Sequence, residues 1–178
     1  MFEWFFGSGQ NTYEIESDMF YPHDARTISY TGTHPSRILS KIGKLLKDTY
    51  RIQGADTYED DFRWDIANPK IIKFFVKWRC KKKLDMRSIF WSVMVAQGEI
   101  DKKTGDGWIK LAYKGKIITK IPFTTSFDKA LKHLYFRKFY IKQLRSYSKK
   151  MMTLLNDFDE NVRTMYNIAQ TEVKEEER

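Results

Sequence analysis

A single cysteine, Cys80, among 178 residues means that no intrachain disulfide can form, and the composition suits a reducing compartment. Cys80 falls on the inward side of a predicted strand, where a small buried hydrophobe is expected rather than a nucleophile. Long apolar runs are missing too. No stretch reaches the roughly 18 residues a membrane-spanning helix needs, and with the cysteine usage this points to a cytoplasmic protein. The three histidines, His23, His34 and His133, are far apart and none stands at ligand spacing from a second donor, so neither a metal nor another cofactor is expected. Gly7-Ser8-Gly9 and Gly105-Asp106-Gly107 lack the strand-to-helix context of a phosphate loop, and no nucleophile signature is present. Asp60 and Asp61 are adjacent, which on a strand turns them to opposite faces. These absences argue against an enzyme.

What is present is aromatic and basic. Apolar residues make up 42% and aromatic residues 16%, enough for the core of one domain, while a net charge of +9 favours an anionic partner through long-range attraction. Residues 1–24 read as an irregular aromatic arm. Phe2, Trp4, Phe5 and Phe6 suit either a cover folded back over apolar surface or an anchor into a partner or a membrane interface, so peripheral membrane contact by Met1–Phe6 stays open.

A single α+β domain is expected over 25–156. Arg26 to Thr31 is a short strand, and Thr33-His34-Pro35 then predicts a helix start. Ile38, Leu39, Ile42, Leu45, Leu46 and Tyr50 recur at three- and four-residue steps to form its apolar side, opposite a basic side of Arg37, Lys41, Lys44 and Lys47. From Tyr58 to Ile121 apolar and polar residues alternate at the period of strands, giving an antiparallel meander. Tyr58, Asp60, Phe62 and Trp64 share one side of its first strand, and Phe74, Val76, Trp78 and Cys80 the inward side of the next. Asp85-Met86 reads as a two-residue turn, which places Ile89, Trp91, Val93 and Val95 inward and Phe90, Met94 and Ala96 outward. Trp108–Tyr113 and Lys116–Ile121 read as two short strands joined at Gly115. A long helix follows from Thr125 or Ser126, apolar on nearly every side as far as Ile141. Beyond it a narrower stripe of Leu144, Tyr147, Met151, Leu154, Phe158, Val162 and Met165 has the spacing of a helix-pairing seam. The stripe fits one long helix, or Asp157 with Glu160 recaps a second one, so residues 126–173 read as one helix or two; 157–178 is read as a C-terminal helical extension with a charged tail.

The fold class is therefore α+β: a meander of five to six strands with one short helix and a long C-terminal helix on one face. In element order, over about residues 26–155, this is similar to helix-grip folds, in which a curved antiparallel sheet wraps a long terminal helix around an apolar cavity.

Pairing the strands refines the functional expectation. A tight turn at Asn68-Pro69 sets Trp64 opposite Phe74, Phe62 opposite Val76, Asp65 opposite Lys73, Asp61 opposite Lys77 and Glu59 opposite Arg79, which neutralises half of the outer face. The other half keeps Lys81, Lys82, Lys83, Lys110 and Lys114 with the rings of Phe75, Phe90 and Trp108, and Lys102, Lys103, Lys116 and Lys120 also lack nearby carboxylates in sequence. Lysines that hold a nucleic-acid backbone while rings stack on bases make this face a candidate platform for RNA or a ribonucleoprotein. Two other readings stand beside it. One is a pocket for a hydrophobic ligand or lipid between sheet and C-terminal helix, lined by Tyr58, Trp64, Trp78 and Trp91 with Asp60 as its polar group. The other is a scaffold or homo-oligomer, or a helical protein partner, using residues 140–169.

Overall fold

Period-two alternation builds one open antiparallel sheet, and three- and four-residue spacing builds helices on one of its faces. The structure is a computed structural model and describes residues 11–168, so Met1–Phe6 and the charged tail lie outside the described residues. In chain order the elements are β1 (Asn11–Asp18), β2 (Arg26–Thr33), α1 (Arg37–Tyr50), β3 (Thr57–Asp65), β4 (Ile71–Lys83), β5 (Ser88–Asp101), β6 (Asp106–Phe123), α2 (Ser126–Tyr135) and α3 (Ile141–Tyr166). A π-helical turn, Phe136–Tyr140, joins α2 to α3. The sheet order is β1-β6-β5-β4-β3, with β2 also paired to β6. The expected class, α+β with a short helix and a long C-terminal helix, holds.

β6 is one strand of 18 residues rather than two short ones. Two strands in succession cover its edge: β1 lies along its second half, Asn11 opposite Phe123, and β2 along its first, Arg26 opposite Tyr113. Between them residues 19–25 leave the edge, and Met19 and Phe20 drop into the core. Residues 11–18, read from sequence as part of an irregular arm, are therefore a sheet strand. Gly115 sits opposite this break, where Met19 N–H donates to its carbonyl at 3.0 Å. A side chain at Gly115 would meet the Phe90 ring at 2.9 Å and Leu155 at 3.3 Å, so the close approach requires glycine there.

The inner face carries Phe74, Val76, Trp78, Phe90, Met94, Leu111, Tyr113 and Ile117, all buried against α1 and α3. Tyr50, Phe90, Phe158 and Tyr113 form a chain of ring contacts 5.3–6.0 Å apart at its centre. Polar contacts at the helix ends fix the helices over this layer. The Tyr166 hydroxyl donates to Pro35 O at 2.5 Å and accepts from Ile38 N at 3.2 Å, supplying the partner that the first turn of α1 lacks. The helix starts at Arg37 with Ser36 before it, later than the Thr33-His34-Pro35 signal suggested, because His34 takes a left-handed conformation (φ 51°). Arg37 in return donates to Met165 O at 3.0 Å, near the end of α3. At the other end of α1, Lys82 Nζ donates to Tyr50 O at 2.6 Å and Arg51 O at 3.2 Å.

α3 is continuous through Asp157 and Glu160, so no second helix starts there. Leu144, Met151, Leu154, Phe158 and Val162 are buried in the protein's own core, with Tyr147 and Met165 packed against it. The stripe is thus satisfied within the fold. That corrects its reading as a seam for another helix, and it makes residues 157–166 part of the domain.

The β4–β5 turn holds three residues, Asp85, Met86 and Arg87, with Leu84 N–H donating to Ser88 O at 3.0 Å. Asp85 Oδ1 accepts from the N–H groups of Arg87 and Ser88, both at 2.7 Å, while Oδ2 accepts from the Tyr140 hydroxyl at 2.5 Å. Ser88 Oγ lies 2.7 Å from both that hydroxyl and Thr119 Oγ1. The turn is one residue longer than Asp85-Met86 alone, so β5 is shifted by one: Lys82 pairs with Phe90, Trp78 with Met94 and Val76 with Ala96. A one-residue slip moves every side chain to the other face. Phe90, Met94 and Ala96 therefore point inward, and Ile89, Trp91, Val93 and Val95 outward.

Burial raises the pKa of the Asp85 carboxyl, but its bonds from Tyr140, Arg87 and Ser88 outweigh this and hold it below the usual carboxylate range. With the folded value depressed, Asp85 stabilises the fold above the unfolded value of about 3.9, and that contribution is lost as pH falls through the folded value. Tyr140→Phe is expected to cost about 1 kcal/mol and Asp85→Ala about 2 kcal/mol in urea unfolding at neutral pH. Asp85→Asn should flatten the acid limb of stability against pH; an unchanged acid limb would contradict the assignment.

Candidate anion-binding face of the sheet

The side of the sheet away from the helices is lined by exposed and half-buried residues. β5 runs down its middle as an apolar stripe, Ile89, Trp91, Val93 and Val95, half-buried between the long side chains of β4 and β6. Beside it Tyr58, Arg79, Lys81 and Trp91 form one cluster across three strands. The Arg79 guanidinium is 5.0 Å from both ring centroids, and Lys81 Nζ is 5.1 Å from Tyr58 and 5.2 Å from Trp91. Burial among the rings, and then the neighbouring Arg79 charge, lower the Lys81 ammonium below the usual lysine range. Arg63 lies 5.4 Å from the ring of Phe75, making a second such stack on the same face.

Tyr58 reaches this face because of a bulge. The β3–β4 register holds as expected for Trp64–Phe74, Phe62–Val76, Asp65–Lys73 and Asp61–Lys77, then slips between Glu59 and Asp61. Beyond the slip Tyr58 pairs with Arg79 and Glu59 with Trp78, so the expected Glu59–Arg79 pairing is replaced. Asp60, the inserted residue, meets Arg79 in a 3.0 Å ion pair, which explains its apolar sequence neighbours without a pocket.

The other sequence candidates divide as follows. Lys81, Lys83, Lys110, Lys114, Phe75 and Trp108 lie on the outer face as expected, with Trp108 Nε1 donating to Glu99 Oε2 at 3.4 Å. Phe90 is fully buried in the core, and Lys82 turns inward to the end of α1. Lys116 and Lys120, isolated in sequence, are paired with Glu16 and Glu14 of β1 at 2.7 Å each, and Lys73 is 3.5 Å from Glu99. Among the described residues Lys77, Lys110 and Lys114 take part in no ion pair. Sequence reasoning placed Arg79 on this face but missed Tyr58 and Trp91: the β3 bulge, whose one signal was Asp60 on an apolar side, brings Tyr58 there, and the three-residue β4–β5 turn brings Trp91.

The pocket set does not converge on the interior. Tyr58, Asp60 and Trp91 are on the outer face, and Trp64 is exposed at the sheet margin, stacked between Phe62 and Phe74. Only Trp78 of that set is in the core, its Nε1 donating to Glu59 Oε2 at 3.3 Å. Tyr50, Phe90, Tyr113, Leu155 and Phe158, all fully buried, occupy the space between sheet and helices where a helix-grip cavity would lie. Two open surface grooves flank α1, one against Phe62 and Trp64 and one against α3 at Leu154 and Asn161. Among the described residues no group of His, Cys, Asp and Glu is arranged to hold a metal, and no helix is long and apolar enough to cross a membrane.

The sequence matches no protein-family profile, and no curated protein matches it. Two solved structures are similar in part. A delta-endotoxin is 6% identical with a TM-score of 0.33, over 66% of this chain and 64% of its own, so the chain spans less than two thirds of that structure's length. A protein of unknown function from Staphylococcus aureus is 10% identical with a TM-score of 0.27, over 86% of this chain and 98% of its own. At these scores neither carries an argument about fold or function.

The inversion of β5 is directly testable. Phe90→Ala should cost about 3–5 kcal/mol in denaturant unfolding and Trp91→Ala well under half of that; equal costs would contradict the register. Burial pushes the Cys80 thiol up to about 12, so a thiol reagent at pH 8 should label it only on unfolding.

Proposed function

We propose that the protein is a non-catalytic binding module for an anionic partner, and that the partner is single-stranded RNA, alone or in a ribonucleoprotein, held on the outer face of the sheet. The observation that carries this reading is the cluster of Tyr58, Arg79, Lys81 and Trp91 on a face that no described helix covers. Bases stack on the Trp91 and Trp108 rings, and Lys77, Lys110 and Lys114 contact phosphates. Stacking of one base on an aromatic ring contributes roughly 1–3 kcal/mol and tolerates any sequence, which suits a binder without a base-reading motif. Much of the remaining charge on this face is matched to carboxylates, so a short segment of a few nucleotides fits better than a long one. A cytoplasmic location belongs to this reading and rests on the single, buried Cys80.

The test is salt-dependent binding of a short fluorescent RNA to the full chain. Each phosphate contact should add about 0.7 to the magnitude of the slope of log K against log salt, so Lys110→Gln with Lys114→Gln should lower that magnitude by about 1.4. Trp91→Ala should weaken binding by about 1–3 kcal/mol at fixed salt. An affinity unchanged between low and moderate salt overturns the proposal.

A further inference from the structure

α2 is amphipathic in the reverse of the usual sense. The side it turns to the sheet is polar. Lys132 Nζ donates to Pro122 O at 2.9 Å and pairs with Asp128 at 2.9 Å. Lys129 Nζ lies over the rings of Phe123 and Tyr13, at 5.1 and 5.7 Å, and the His133 ring is 6.4 Å from Tyr13. The opposite side carries Phe127, Leu131, Leu134 and Tyr135, and the π turn continues it with Phe139; each is more than half exposed. No residue of α2 is buried. A helix that docks by its cations and presents Phe and Leu to solvent leaves its apolar side for another apolar phase.

Charge identifies that phase. The exposed cations Arg137, Lys138, Lys142 and Arg145 follow the apolar stripe, and the only acidic residue between Ser126 and Arg145 is Asp128, already tied to Lys132. We infer that α2 and the π turn dock on a lipid bilayer that carries anionic headgroups, with Phe127, Leu131, Leu134, Tyr135 and Phe139 entering the interface and the following cations meeting the headgroups. Interfacial helices have this pattern of apolar ridge and basic flank. A second copy of the chain fits less well, because pairing two such ridges would bring their cations together. The stripe stands on a helix at the sheet margin and lines neither of the grooves beside α1, which suits a flat, deformable surface. Phe2, Trp4, Phe5 and Phe6 precede β1, whose first residue pairs with Phe123 at the foot of α2, so the experiment must separate their contribution.

The full chain should co-sediment with vesicles of phosphatidylcholine mixed with phosphatidylserine, and much less with phosphatidylcholine alone. Leu131→Asp with Leu134→Asp should lower that binding about tenfold or more, with circular dichroism and unfolding midpoint unchanged because both side chains are exposed. Arg137→Glu with Lys138→Glu should weaken it as well. Equal sedimentation with neutral vesicles, or undiminished binding of the leucine variant, overturns the inference. So does loss of binding when Phe2, Trp4, Phe5 and Phe6 are changed to Ser, if the leucine variant still binds. A leucine variant that turns a dimer into a monomer without changing vesicle binding overturns it in favour of a second copy. RNA affinity measured on the same variants shows failure of the sheet-face proposal separately.

Discussion

The carboxylate of Asp85 determines which side of the central strand is the inside. By accepting from Arg87 and Ser88 it closes a three-residue turn, and by accepting from Tyr140 it ties that turn to the start of the long helix. A two-residue turn would put Ile89, Trp91, Val93 and Val95 against the helices and leave Phe90 and Met94 in water. Gly115 gives space to the Phe90 ring, Tyr50 and Phe158 meet at the same centre, and Ser88 and Thr119 bond to each other on the inner face. These features agree with one parity and conflict with the other, as expected where one face of a sheet is buried.

Polar groups also decide how the helices sit. The apolar stripes of α1 and α3 give attraction without direction, whereas Tyr166 at the start of α1, Arg37 near the end of α3 and Lys82 at the end of α1 connect helix termini at fixed positions. Each satisfies a backbone group that a helix end leaves open. In this way three polar side chains become constraints on helix placement. The outer face carries no equivalent constraint, and its ion pairs are partly exposed and energetically minor.

The parts of the fold legible in the sequence are those where one signal dominates. The stripe of α1 is unambiguous, and Asn68-Pro69 marks its turn strongly enough that the β3–β4 register is right from Trp64 to Asp61. β5 is different: Ile89, Trp91, Val93 and Val95 on one side are as apolar as Phe90, Met94 and Ala96 on the other, so hydrophobicity alone cannot choose. The choice lies in turn chemistry, where an aspartate bonding to its own backbone adds one residue. The Asp60 bulge is of the same kind, a single extra residue that carries Tyr58 across the sheet. The candidate site therefore changed membership, losing Phe90 and Lys82 and gaining Tyr58, Arg79 and Trp91, while Lys81, Phe75, Lys110, Lys114 and Trp108 stayed. α2 was legible as a helix, but a segment apolar on nearly every side does not reveal which side meets the sheet.

The two-piece edge of the sheet has a consequence for how the chain is made. β1 and β2 both pair with β6, so these two strands leave the ribosome well before their partner, which is synthesised about a hundred residues later. At about 5–20 residues per second that interval lasts about 5–20 seconds, during which β1 and β2 do not yet have the β6 edge to join. Long-range closure of this kind slows folding compared with pairing between neighbours. The part of the outer face around Lys110 and Lys114 can therefore join that around Tyr58, Arg79 and Trp91 only once β6 has been made.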